Sequence, residues 1–147
     1  MNPVFACILF VFFVVIALVG LAKKRTREIL SKFTDKEILQ KASNAYFFGT
    51  PEILCKFTDK KTLEKAYDGN FYGRGNGVLV LLKDELYFEM WSPQIKLRIP
   101  IDYITKIKIK PYLWFELLEV MFNDGTDSAV WRIKKPKKWQ ESLQKLI

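Results

Sequence analysis

The chain contains no histidine at all and only two cysteines, Cys7 and Cys55, in 147 residues. Without histidine it lacks the commonest general base and the commonest metal ligand. Two cysteines far apart, one of them inside a long apolar run, give no disulfide framework and no metal-ligand spacing. Acidic residues are also scarce beside basic ones, 16 against 24, which leaves a formal net charge of +8. The carboxylates are scattered over turns and strand faces, and no Ser or Cys stands near a plausible base, so an enzyme reading has no catalytic residues to name. The sequence implies no cofactor and no metal.

Charge is absent altogether from the first 22 residues. Val4 to Ala22, VFACILFVFFVVIALVGLA, is apolar throughout, and Lys23, Lys24, Arg25 and Arg27 follow at once. About 20 apolar residues are needed to cross a hydrocarbon core of roughly 30 Å, and there the run must be a helix, because every backbone N–H and C=O has to be satisfied within it. A cleaved signal peptide places its basic residues before the apolar stretch, whereas here they come after. The reading is therefore a transmembrane anchor with a basic collar over residues 1–27, in a cell membrane. Because Lys and Arg favour the cytoplasmic side, the N-terminus is expected outside and the rest of the chain in the cytoplasm.

A short motif then occurs twice, KFTDKEILQKA from Lys32 to Ala42 and KFTDKKTLEKA from Lys56 to Ala66. Thr34 or Asp35, and Thr58 or Asp59, are good N-caps, and Glu37 follows Thr34 at capping-box spacing. Each copy is expected to start a short helix. The collar helix is expected to run on through Phe33, and Pro51 to open a further turn of helix over Ile53 and Leu54. Residues 28–70 thus read as a helical connector.

From Phe71 the texture changes. Val78–Leu82, Leu86–Trp91, an alternating Ile95–Ile101, Ile104–Ile109 ended by Pro111, Leu113–Phe122 and Ser128–Ile133 read as strands separated by turn signals. Asn123–Asp124–Gly125–Thr126 is a strong hairpin. Pro136 opens a C-terminal helix with Trp139, Leu143, Leu146 and Ile147 on one face. The fold class is α+β: a transmembrane helix, a short helical connector, then a bent antiparallel sheet or barrel plugged by the terminal helix over residues 71–147.

Gly73–Arg74–Gly75–Asn76–Gly77 superficially suggests a phosphate cradle. It leads into a strand and lacks the Lys-Ser/Thr of a P-loop, so glycines permitting a close approach of strands explain it better. Arg74 remains a candidate anion contact. Lys106, Lys108 and Lys110 share one strand face beside Tyr112, Leu113 and Trp114, the composition of an interfacial loop. Lys134, Lys135, Lys137 and Lys138 crowd a helix start, where an anion would be welcome.

The glycine-led strand GNGVLVLL, the aromatic strand LYFEMW, the run I-P-I-x-x-I-x-x-I, the Asp-Gly hairpin and the closing helix with Trp139 resemble the GRAM and bacterial PH-like domains. The turn Leu82–Lys83–Asp84–Glu85 departs from the Thr followed by Arg or Leu that many members carry. The resemblance implies a split, strongly bent barrel that binds phosphoinositide-like lipids or protein segments and performs no chemistry. The expected partners are the bilayer itself and either anionic phospholipid headgroups or a membrane protein, which would make the chain a binding module or a structural adaptor subunit. A membrane-tethered nucleic-acid binder is a weaker rival, since the aromatics fall on alternating strand positions and make no basic stacking platform.

Overall fold

The computed structural model describes residues 3–35, 37–49, 53, 61 and 73–147. The chain divides into two compact units, Met1–Lys32 and Phe33–Ile147.

The first unit is one helix, α1 (Pro3–Leu30). At about 1.5 Å per residue it is roughly 40 Å long, and over Val4–Leu30 it is long and apolar enough to cross a membrane. Phe5, Phe10, Phe12, Phe13 and their apolar neighbours are exposed all round. A helix that is apolar on every side meets its solvation requirement in lipid or in a buried core. Lys23, Lys24, Arg25 and Arg27 form its last turns, where Arg25 pairs with Glu28 at 2.9 Å. The hydroxyl of Ser31 donates to the Glu28 carbonyl at 2.8 Å, and the helix stops at Leu30. The expected extension through Phe33 does not occur; that ring packs edge-on against Tyr87, with centroids 5.0 Å apart.

The second unit is a single seven-stranded antiparallel sheet with a helix at its C-terminus. Its strands are β1 (Gln40–Phe48), β2 (Arg74–Leu81), β3 (Glu85–Met90), β4 (Lys96–Pro100), β5 (Ile104–Tyr112), β6 (Phe115–Phe122) and β7 (Asp127–Arg132). Their order is β4-β3-β2-β1-β7-β6-β5. The α+β class holds, and the sheet is open, with β4 and β5 as its edges. A short 3-10 turn, Ile101–Tyr103, carries the chain from one edge strand to the other.

One element differs in kind from the sequence reading. The first copy of the repeat closes a single turn, in which Glu37 N–H donates to the Thr34 carbonyl and Thr34 N–H donates to the Glu37 carboxylate, both at 2.9 Å. Gln40 onward is then strand β1, at the centre of the sheet between β2 and β7. The helical connector thus does not extend across residues 40–48, and the sheet-bearing unit begins at Phe33, well before residue 71. Pairing on both sides, with Ala45 and Phe47 fully buried, outweighs the few tenths of a kcal/mol per residue that separate ordinary helix propensities. The second copy of the repeat, Lys61 apart, and most of the turn expected after Pro51 lie outside the described residues. Ile53 packs against the core cluster.

The main core cluster lies on one sheet face, and Val78, Val80 and Tyr87 are buried on the other. Phe47, Leu79, Phe88, Leu97, Val120 and Trp131 belong to the main cluster, with Trp139 and Leu143 of α2 (Pro136–Gln144). Gln140 of α2 donates through Nε2 to the Ile107 carbonyl at 3.2 Å. Pro111 does not end β5, which pairs on to Tyr112 opposite Phe115. Proline is tolerated there because β5 is an edge strand. Gly77 is needed for contact between β2 and β3, since a Cβ there would sit 2.2 Å from the Glu89 carbonyl oxygen. That accounts for the glycine run without a phosphate cradle.

Candidate functional site: an aromatic and cationic face

Two irregularities of the sheet shape the face opposite the core. β1 bulges between Ala42 and Ala45, which lie opposite Leu79 and Gly77. The extra residue keeps both alanines toward the core and places Asn44 on the other face with Tyr46, as bulges commonly re-aim side chains. Second, among the described residues β1 and β7 oppose each other only at Tyr46–Arg132 and Phe47–Trp131. β1 continues beside β2 while the chain leaving β7 turns into α2, and an opening forms between them. It is a cavity of about 640 Å³ lined by Asn44, Tyr46, Asn76, Phe115, Glu116, Arg132, Ile133, Lys134 and Pro136.

A continuous set of rings borders this opening. Tyr46 packs edge-on against Phe48 at 4.8 Å, Phe48 lies 5.9 Å from Tyr112, Tyr112 lies 5.3 Å from Phe115, and Phe115 lies 6.1 Å from Trp114. Two guanidinium groups sit over these rings, Arg74 at 5.9 Å from Phe48 and Arg132 at 4.4 Å from Phe115. Such contacts contribute about 0.5–1 kcal/mol when exposed and hold the cations beside apolar surface.

The β5–β6 hairpin turns through Leu113 and Trp114, which are 75% and 83% exposed. Leu113 has φ 53°, a left-handed backbone that suits Gly or Asn far better than a bulky residue. The structure exposes Trp114 and sets Phe115, half-buried, in the ring cluster.

The basic candidates divide. Arg74 joins the ring cluster, and Lys134 lines the cavity. Lys137 pairs with Glu116 at 3.2 Å, and Lys110 with the buried Glu119 at 2.6 Å. Lys135 occupies the N-cap of α2 with φ 54°, and Lys138 is exposed on the first turn. Lys106 stands beside the bulge at the start of β5, opposite Met121, away from the rings, and Lys108 faces Glu119. Of the cavity's lining only Lys134 was a candidate from the sequence; Asn44, Tyr46, Asn76 and Arg132 were not singled out as site residues. The i, i+2 aromatic pair Tyr46 and Phe48 was the one available signal.

Farther along the same face, on β3, the Tyr87 hydroxyl donates to Glu89. Burial and that carboxylate push its pKa well above the ordinary tyrosine range. Arg98 lies 5.3 Å over the Tyr87 ring. The carboxyl of Glu37 is held below its usual range by its hydrogen bonds with Thr34.

No family model and no curated protein matches the chain. Among solved structures, the chain is similar to the C-terminal domain of an unknown protein from Leishmania infantum, with a TM-score of 0.53 and 16% sequence identity over 88% of this chain and 96% of that one. At that identity the likeness concerns the fold alone.

Proposed function

We propose that the chain is a single-pass, membrane-anchored and non-catalytic binding module of the GRAM or PH-like kind. In this reading α1 spans the membrane, the collar Lys23–Arg27 lies on the cytoplasmic side, and the sheet unit engages anionic lipid headgroups. The observation that carries it is the hairpin tip. Leu113 and Trp114 are offered to solvent at the end of the ring cluster that carries Arg132 and Arg74, and Leu113 does so at a backbone angle that disfavours it. Tryptophan is at home at headgroup depth, and each Lys or Arg near an anionic leaflet adds about 1 kcal/mol. A seven-stranded antiparallel sheet followed by a packed helix also agrees with the resemblance. Tethering raises the local concentration of a weak binder at the bilayer, so modest affinity suffices.

Flotation of the fragment Phe33–Ile147, which carries its own core, on phosphatidylcholine vesicles with and without phosphatidylserine tests the reading. Binding is expected only with the anionic lipid, and Trp114→Ala should weaken it. Equal binding to both vesicles would sink the lipid reading and favour the adaptor alternative, in which a protein partner takes this face. Ile53 lends that alternative some weight, because it shows part of the connector packed on the apolar side of the sheet.

A further inference from the structure

The cavity beside β1 has a chemistry that surface docking does not require. Its volume of about 640 Å³ lies within the roughly 300–1,000 Å³ of small-ligand sites, but such sites are mostly apolar, and this one is lined largely by polar and cationic groups. Arg132 and Lys134 have no carboxylate partner among the described residues. Glu116, the carboxylate in the lining, is already engaged by Lys137 at 3.2 Å. The Phe115 ring, 4.4 Å from the guanidinium carbon, restricts the plane of Arg132 while its edge N–H groups stay available. Asn44, delivered by the bulge, and Asn76, from the neighbouring strand, add carboxamides, and Tyr46 adds a phenol.

We propose that the cavity at the divergence of β1 and β7 is a stoichiometric site for a phosphomonoester, with Arg132 and Lys134 as its charge partners and Asn44, Tyr46 and Asn76 as its polar lining. A planar guanidinium matches a phosphoryl group through two parallel hydrogen bonds, and two uncompensated cations match a dianion. The carboxamides and the phenol are suited to the remaining oxygens and to the hydroxyls of the esterified alcohol. The same phosphoryl chemistry is offered by a lipid headgroup and by a free phosphate ester. The site goes beyond the docking reading, since the attraction of a charged face to a bilayer neither saturates at one equivalent nor depends on one guanidinium.

The test uses the full chain in phosphatidylcholine nanodiscs, titrated with glycerol 3-phosphate at constant ionic strength. Calorimetry and the side-chain Nε resonance of Arg132 are followed together. The expected result is saturation at one equivalent with a shift of that resonance. Arg132→Gln and Lys134→Gln should each weaken binding about tenfold or more, and Arg132→Lys should weaken it less than Arg132→Gln. Arg98→Gln, the same charge change on β4, should leave affinity within about twofold. A shift of the Arg132 resonance in nanodiscs containing phosphatidic acid, with no soluble ester added, identifies the lipid source; a shift with the soluble ester alone identifies the free one. Absence of saturation, or equal losses for Arg132→Gln and Arg98→Gln, overturns the site. Failure of the docking reading is seen separately. Trp114→Ala is read by flotation and tests docking, whereas Arg132→Gln is read by calorimetry and tests the cavity.

Discussion

The guanidinium of Arg132 lies 4.4 Å from the centroid of Phe115. The contact ties the end of β7 to the start of β6 across the mouth of the cavity, so one ring serves both the ring cluster and the cation beside it. Phe115→Ala should therefore act twice. We expect a stability loss of about 1–2 kcal/mol from the half-buried ring and its cation contact, read by urea unfolding of the fragment Phe33–Ile147. Weaker flotation on anionic vesicles should accompany it. A variant with unchanged stability would show that the contact contributes nothing to the fold.

Leu113 should reveal a trade between stability and docking. At φ 53° a left-handed conformation costs a non-glycine residue about 1–2 kcal/mol, so Leu113→Gly should leave thermal stability level or raise it by up to about 1 kcal/mol. The same variant should bind vesicles less well. Trp114→Ala, at an exposed position, should stay within about 0.5 kcal/mol of the parent. Thermal melts and flotation on the same samples check all three expectations.

Tyr87 predicts an alkaline limit to stability. Its folded pKa is raised by burial and by Glu89, and the unfolded value is about 10. A raised folded pKa contributes stability that is fully present below the unfolded value and is lost as pH climbs from there toward the folded value. Unfolding free energy should therefore fall as pH rises above about 10, and Tyr87→Phe should flatten that part of the profile. The variant also removes the donor to Glu89, so it should cost about 1.5–3 kcal/mol near neutrality. Ultraviolet titration should show one tyrosine ionising after the others; a profile as steep in Tyr87→Phe as in the parent would refute the assignment.

Gly77 should tolerate no side chain. The Cβ of an alanine there would lie 2.2 Å from the Glu89 carbonyl oxygen and 2.8 Å from the Met90 Cα, so backbone must move. Gly77→Ala is expected to destabilise the sheet unit by roughly 2 kcal/mol or more, measured by thermal or urea unfolding. Gly20→Ala meets nothing within 4 Å and should be silent.

Lys110 and Glu119 give a further electrostatic test. Glu119 is buried and Lys110 half exposed, with 2.6 Å between them. Lys110→Met leaves the carboxylate without that cation and should cost about 1–3 kcal/mol, whereas Lys106→Met, on an exposed residue of the same strand, should cost less than about 0.5 kcal/mol. Urea unfolding of the two variants separates them.

Much of the fold is legible in the chain because short-range chemistry decides it. Val4–Ala22 can be only a helix in hydrocarbon, Asn123–Asp124–Gly125 turns a hairpin wherever it stands, and Pro136 with Trp139 and Leu143 starts and orients α2. β4 follows from alternation, and β2 and β3 from apolar and aromatic runs bounded by turn residues. β1 was not legible, because its bulge at Ser43 and Asn44 breaks the alternation that marks a strand, and Thr34 to Glu37 supplies a convincing helix start just before it.

Of the candidate site, the sequence by itself determined the ingredients: an exposed apolar and aromatic tip at Leu113–Trp114, and basic residues at Arg74 and Lys134. Only the tertiary structure decided which of them meet. Tyr46 and Arg132 are opposed across β1 and β7, Arg74 reaches Phe48, and Lys106 is left at the far end of its strand. Register between strands distant in sequence settles these neighbours, and register follows from burying the core face of the whole sheet at once.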